Sequence, residues 1–304
     1  MVTGQVRRGA AAVLVVAACG WLSTLTPDKG DVRGDALLTA ARGGASGSGG
    51  AATRPQPSPG SEAPAGSETP SESRSPRPRS SGSPSPQPRP TPPPDCGRVK
   101  CLALTFDDGP AESTAELLDV LASRKVRATF FLIGKHAAEY PDLVRREHAA
   151  GHEIAGHGYT HADLGRASKK KIMSELTRTR DAVLAATGAA PRLMRPPYGS
   201  TSKRLTTITR EMGIAQVLWA VDPFDWKNRD TGDIERRVVK SVKPGQIVLL
   251  HDIYATTVRA VPRIIDRLAA EGYVFVTVTE LFGGRMTPGE KYRERESGEP
   301  QGLP

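Results

Sequence analysis

Between Cys101 and Val278 short apolar runs alternate with longer stretches of amphipathic spacing. The apolar runs predict strands at Cys101–Phe106, Ala128–Ile133, Glu153–Ala155, Arg192–Arg195, Gln216–Val221, Gln246–Leu250 and Val274–Val278. The stretches between them repeat apolar residues every three or four positions, the period of a helix with one buried face. They predict helices at Ser113–Arg124, Ala137–Ala150, Ser168–Ala186, Ser202–Met212, Ile234–Val242 and Val258–Ala270. In the first, Leu117, Leu118 and Leu121 share a face, and Glu116 follows Ser113 by three, the spacing of a capping box. Gly151, Gly188, Gly213 and Gly272 fall just past helix ends, where a left-handed residue closes the last turn. Six strand–helix alternations and a closing strand imply an α/β fold with a parallel sheet, curled into a (β/α)7-type barrel. In such barrels chemistry collects where strands end.

Outside this region the pattern stops. From Pro27 to Asp95 the chain is almost wholly Gly, Ser, Pro, Ala, Thr and Arg, too poor in large apolar residues to offset its chain entropy. A disordered linker is expected over 27–95, its Pro-rich second half stiffened toward polyproline II. Before it, Arg7 and Arg8 precede an apolar run at Ala10–Ala18, the layout of an export signal over residues 1–26. That run ends Val16-Ala17-Ala18-Cys19-Gly20, which resembles a bacterial lipobox with Cys19 as lipidation site; plain secretion and an uncleaved anchor are the other readings. The folded domain is thus expected at 96–284, followed by a polar tail at 285–304.

Export bears on the other two cysteines. Cys96 and Cys101 flank four residues at the domain's entry, and in an oxidising compartment they are expected to form a disulfide. The formal charge of the 304-residue chain is +9, of which residues 96–304 carry +6. A basic surface suits an anionic wall or simple solubility. No zinc finger, helix-turn-helix pattern or aromatic-interleaved basic strand points to nucleic acid, and no signal for oligomerisation is visible, so a monomer is expected.

The polar motifs recur at the predicted strand ends. The first strand runs into Thr105-Phe106-Asp107-Asp108-Gly109-Pro110, where adjacent carboxylates point in different directions: one suits a metal, the other a proton. The same residues also make a good turn. The third strand leads to His157-Gly158-Tyr159-Thr160-His161, two histidines spaced to share one ion. Joined with Asp108 they make a three-ligand set that leaves a position for water, as in catalytic zinc sites. The fourth gives Arg195-Pro196-Pro197-Tyr198-Gly199, the fifth Asp222-Pro223-Phe224-Asp225-Trp226, the sixth Leu249-Leu250-His251-Asp252. Each alone reads as a turn, a buried ion pair or a core histidine. Five in succession at strand ends are hard to explain as structure alone.

On these motifs the chain resembles the NodB-like polysaccharide deacetylases, carbohydrate esterase family 4, from roughly Lys100 to Phe282. The resemblance implies a distorted (β/α) barrel, with Asp108, His157 and His161 holding a metal, usually Zn2+, with Co2+ another candidate. It implies Asp107 as general base oriented by Arg195, His251 as general acid tuned by Asp225, the Tyr198 N–H as oxyanion donor, and Trp226 and Leu249 in the acetyl pocket. One departure is Gly158, where the family has Ser or Thr that buttresses the loop. The implied activity is removal of N-acetyl groups from N-acetylglucosamine in a polysaccharide, peptidoglycan first because a long linker suits the cell's own wall. Chitooligosaccharide deacetylation and acetylxylan O-deacetylation are alternatives, and a non-catalytic wall-binding module is a distant one. The expected address is the cell envelope or the medium, with membrane contact only through the signal or lipid.

Overall fold

The computed structural model of the chain describes residues 93–284 and 286–296. The signal, Cys19 and most of the linker fall outside them. Strands β1 (Lys100–Asp107), β2 (Thr129–Leu132), β3 (Glu153–Gly156), β4 (Leu193–Met194), β5 (Ala215–Val217), β6 (Ile247–His251), β7 (Tyr273–Phe275) and β8 (Lys291–Tyr292) alternate with helices. These are α1 (Thr114–Ser123), α2 (Gly134–Glu139), α3 (Pro141–Ala149), α4 (Lys169–Thr187), α5 (Lys203–Glu211), α6 (Thr231–Ser241), α7 (Ala255–Ala270) and α8 (Val278–Leu281). Every strand pairing is parallel, in the order β6-β1-β2-β3-β4-β5-β8, with β7 on the first half of β1. The sheet curls until isolated bridges, Val221 to Val248 and Gln246 to Glu294, span its seam. The parallel α/β barrel expected from the alternation is the fold observed.

Strand parity explains how the sheet is filled and where its chemistry points. Side chains alternate along β1. Leu102, Leu104 and Phe106 pack outward into the cluster that includes Leu117, Leu121, Val261 and Ile264 of the flanking helices. Cys101 and Ala103 face the interior with Ala155, Ala215 and Phe131. The interior set is small because a curled sheet leaves little room inside, and the same parity carries Thr105 and Asp107 inward. Cys96 and Cys101 are joined by a disulfide, their Cα atoms 5.3 Å apart, at the start of β1.

Four local expectations differ from the structure. The single helix expected over Ala137–Ala150 is two, α2 and α3, because Pro141 has no N–H to continue the ladder and Tyr140 before it leaves the helical region. Ser113 makes no cap bond, and its hydroxyl instead donates to the Asp252 carbonyl. The strand expected over Gln216–Val221 stops at Val217, and Leu218 N–H then donates to Tyr292 O at 2.7 Å. The residues that take over belong to the expected tail: β8 pairs with β5, and Arg295 N–H reaches Gly245 O at 2.8 Å. The folded domain therefore runs past 284 to about residue 296, held largely by main-chain bonds that leave no apolar pattern in the sequence. Among the described residues no helix is long and apolar enough to cross a membrane.

Candidate active site

The ends of β1, β3, β4 and β6 and the segment after β5 converge on one cleft of about 380 Å³. Asp107, Asp108, His157, His161, Tyr198, Trp226, Leu249 and His251 all line it. Arg195 and Asp225 lie fully buried beside it, each bonded to a cleft residue.

Asp108 sits where β1 ends, with a left-handed φ of 74° that turns its side chain away from the direction of Asp107. Its Oδ1 lies 3.6 Å from His157 Nε2 and 3.5 Å from His161 Nε2, and the three groups offer ligand atoms all within 4.8 Å. The protein gives that buried oxygen no hydrogen-bond partner. An orphaned buried carboxylate oxygen facing two imidazole nitrogens is a donor set that fits a divalent cation. The histidines are prepared for it. His157 Nδ1 donates to Arg195 O at 2.7 Å, which fixes the tautomer and leaves Nε2 free to ligate. Burial is the main force on His157, lowering its pKa to about 3 against the pull of Asp108, so the ring is neutral, as a ligand must be. His161 Nδ1 lies 3.1 Å from the Tyr198 hydroxyl.

Asp107, like its neighbour, comes within 3.6 Å of His157 Nε2, but its other contacts differ. It is 2 % exposed, and its Oδ1 accepts from Arg195 Nη1 at 2.6 Å. Arg195 is held in turn by Thr105 Oγ1 at 2.9 Å and Leu218 O at 3.1 Å, and it stacks 4.1 Å over the Phe131 ring. Burial raises the Asp107 carboxyl above its ordinary 3.8, with Arg195 and His251 opposing. The result is a carboxylate more basic than a surface one, with Oδ2 3.6 Å from His157 Nε2.

Across the cleft His251 Nδ1 and N–H both bond the Asp225 carboxylate, at 2.8 Å each, and Thr257 Oγ1 adds a third bond at 2.9 Å. Burial pushes the His251 imidazole down, but the Asp225 bond and charge, aided by Asp107 and Asp108, outweigh it and carry it up to about 9. It is an imidazolium at neutral pH. The cleft thus faces a raised-pKa base with a proton-bearing acid, flanking a cation-ready triad, an arrangement suited to hydrolysis of an acyl bond.

The sequence reading missed Trp219 and Glu175, and it quoted Thr105, Asp222 and Asp252 within motifs without giving them a role. Trp219 and Asp222 line the cleft, Asp222 accepting from Phe224 N–H at 2.7 Å. Thr105 supports Arg195, and its inward parity on β1 was the available signal. Asp252 packs its carboxylate on Gly109, where any side chain would collide, and accepts from Thr114 Oγ1. Where Gly158 lacks the buttressing side chain of the family, a carboxylate no motif pointed to holds the loop: Glu175 of α4 accepts from Tyr159 N–H and Thr160 N–H at 2.7 and 2.8 Å.

Strain concentrates here. Among the described residues five non-glycine residues have positive φ, and four of them, Asp108, His161, Tyr198 and Phe224, lie in the cleft or stack beside it. Such conformations cost about 1–3 kcal/mol each and persist only where the surroundings over-determine them.

Comparison with known proteins agrees with this geometry. Residues 95–217 match the profile of the family described as polysaccharide deacetylase. The chain is 38% identical over 197 residues to the peptidoglycan-N-acetylglucosamine deacetylase PgdA of Listeria monocytogenes, covering 64% of this chain and 42% of that protein. It therefore spans about two fifths of that relative's length. A chitooligosaccharide deacetylase of Bradyrhizobium is 40% identical over 203 residues, 62% of this chain and 93% of the relative. Among solved structures, a family 4 carbohydrate esterase from Streptomyces lividans in complex with acetate superposes with a TM-score of 0.58 at 39% identity, over 62% of this chain and 97% of that one. Near-complete coverage of a relative at this identity, with the same barrel, shows that the chain belongs to the polysaccharide deacetylase family.

Proposed function

We propose that the protein is a metal-dependent hydrolase that removes N-acetyl groups from N-acetylglucosamine units of an exported polysaccharide, peptidoglycan first. The observation that carries this reading is the pairing of two opposed proton carriers, Asp107 and His251, around the Asp108–His157–His161 triad. Asp108, His157 and His161 would hold the ion, zinc by ligand type, with cobalt an alternative of similar geometry. When bound, such an ion supplies Lewis-acid chemistry, polarising a carbonyl and lowering the pKa of a neighbouring water toward about 7.

The chain's own residues then divide the work. Asp107 takes the proton of the attacking water on Oδ2, which Arg195 leaves unbonded by holding Oδ1 and which lies 3.6 Å from His157 Nε2. The Tyr198 N–H is offered to the oxyanion as the carbonyl becomes tetrahedral, a contribution of about 3 kcal/mol for one such donor. Leu249 and Trp226 enclose the acetyl methyl and exclude water. The C–N bond breaks as His251 Nε2 gives its proton to the amine nitrogen, which leaves poorly otherwise. Asp225 keeps that imidazole charged until transfer. The products are acetate and a free amino sugar.

Peptidoglycan is favoured by the named activity of the Listeria relative and by the signal and long linker expected at 1–95, which suit an exported enzyme reaching the wall. Chitooligosaccharides are the second reading, favoured by a relative matched over 93% of its length. Acetate release from peptidoglycan, chitooligosaccharides and acetylxylan, with and without a chelator, tests both. We expect peptidoglycan to lead and the chelator to abolish release, with zinc restoring it. Chelator-resistant release, or acetylxylan as the best substrate, would overturn the reading.

The pH dependence follows from the two proton carriers. The base must be deprotonated, so kcat falls as pH drops through the raised Asp107 value. The acid must be protonated, so kcat falls again as pH rises through about 9. The expected profile is a bell, and Asp225→Asn should draw its alkaline limb toward neutrality. An alkaline limb unmoved by that change would count against His251 as the acid.

A further inference from the structure

The loop that carries both candidate histidine ligands has no side chain of its own at position 158, and its second ligand, His161, holds a left-handed φ of 58°. Something must fix that backbone. Helix α4 does so from one side. Glu175, 1 % exposed, presents Oε2 to Tyr159 N–H at 2.7 Å and Thr160 N–H at 2.8 Å, and Oε1 to Thr160 Oγ1 at 2.8 Å. Lys171 Nζ pairs with the same Oε1 at 2.8 Å, so the buried charge is balanced from the helix surface. One turn on, the Arg178 guanidinium stacks 3.6 Å over the Tyr159 ring. Helix α2 holds the loop from the other side: Gly134 N–H donates to Gly158 O at 2.9 Å and Lys135 N–H to Tyr159 O at 3.1 Å. The loop's amides therefore meet a carboxylate on one flank, and its carbonyls meet a helix N-terminus on the other.

Gly158 belongs to the same device. Its φ of 75° lies where a side chain is strained, and a Cβ there would stand 3.3 Å from Glu175 Oε2. A bulkier residue would crowd the carboxylate away from the amides it binds. The bare backbone lets Glu175 come close enough to bind two successive N–H groups.

The geometry points to Glu175 as a positioning residue for the metal centre, acting through the Tyr159–Thr160 amides to hold His161 toward Asp108 and His157. The inference rests on the metal reading above. His157 depends on other supports, β3 and the Arg195 carbonyl. Loss of Glu175 therefore loosens one ligand of three and leaves the other two in place. Outer-shell changes of this kind weaken metal affinity by about 10–100-fold.

The experiment uses the full chain and zinc as the probe, titrated against a chromophoric chelator. Glu175→Ala is expected to raise the zinc Kd by about 10–100-fold, and Glu175→Gln, which keeps an acceptor oxygen for the amides, by clearly less. The zinc concentration for half-maximal acetate release should shift in parallel, while kcat at saturating zinc recovers to near the wild-type value. A general loss of folding would not recover in that way. A folded Glu175→Ala protein with wild-type zinc affinity overturns the assignment. If that variant does not fold, amide exchange in the zinc-loaded wild type decides: slow exchange at Tyr159 and Thr160 supports the brace, and exchange at unprotected rates overturns it. A wild-type chain that takes up no zinc yet releases acetate is a different failure. It would sink the metal reading while protected amides still reported the brace.

Discussion

Asp107→Asn is expected to slow acetate release by about 10²–10⁴-fold while zinc stays bound, the range over which one positioned acid or base contributes. That is about 3–5 kcal/mol of transition-state stabilisation at 1.36 kcal/mol per decade. Asparagine keeps the shape and still accepts a hydrogen bond from Arg195, so the cleft is preserved while the proton acceptor is removed. The ligand set around Asp108 is untouched. Acetate release under saturating substrate, paired with metal analysis of the same sample, reads the two effects apart. Full activity would remove Asp107 from the base role. Loss of zinc together with activity would instead make Asp107 a part of the metal site.

The second large effect is on stability. Arg195 is fully buried and ties Asp107, Thr105 and the Leu218 carbonyl together beneath the cleft. Arg195→Met fills much of the same volume but strands a buried carboxylate. Removing one partner of such a pair costs about 3–5 kcal/mol. The loss should depend on pH, and its sign can be worked out. Burial already lifts Asp107 above 3.8, and without Arg195 that lift grows, so the folded variant binds its proton more tightly than the unfolded chain does. Stability then falls as pH rises through the gap between the two values and recovers as pH drops toward the unfolded one. Urea unfolding at pH 7.5 and at pH 5 should show the larger loss at pH 7.5. Equal midpoints for the variant and the wild type at both pH values would contradict the buried-pair reading.

Much of this was legible in the chain. The alternation of short apolar runs with amphipathic stretches announced the parallel barrel, and the polar motifs marked its strand ends. The five motifs at strand ends come together in one cleft because a parallel barrel gathers the C-terminal ends of its strands. What escaped had no local signature. Residues 286–296 read as polar because their hold on the domain is a short main-chain ladder, assisted by the partly buried Met286 and Tyr292 packed against the inner cluster. Glu175 looked like one more charge on a charged helix, since its value lies in two amides sixteen and fifteen residues back. Trp219 lies just beyond the point where β5 stops pairing and belongs to no motif, so nothing marked it as a cleft residue.

The left-handed backbone at Asp108, His161, Tyr198 and Phe224 has a consequence for how such a chain ages under mutation. Each of these residues holds the fold at a local disadvantage that glycine, or asparagine less fully, would relieve. Some routes to a sturdier barrel therefore run through the site itself. At Asp108 and His161 that relief would come at the cost of a candidate metal ligand, so stability and chemistry compete at the same backbone positions.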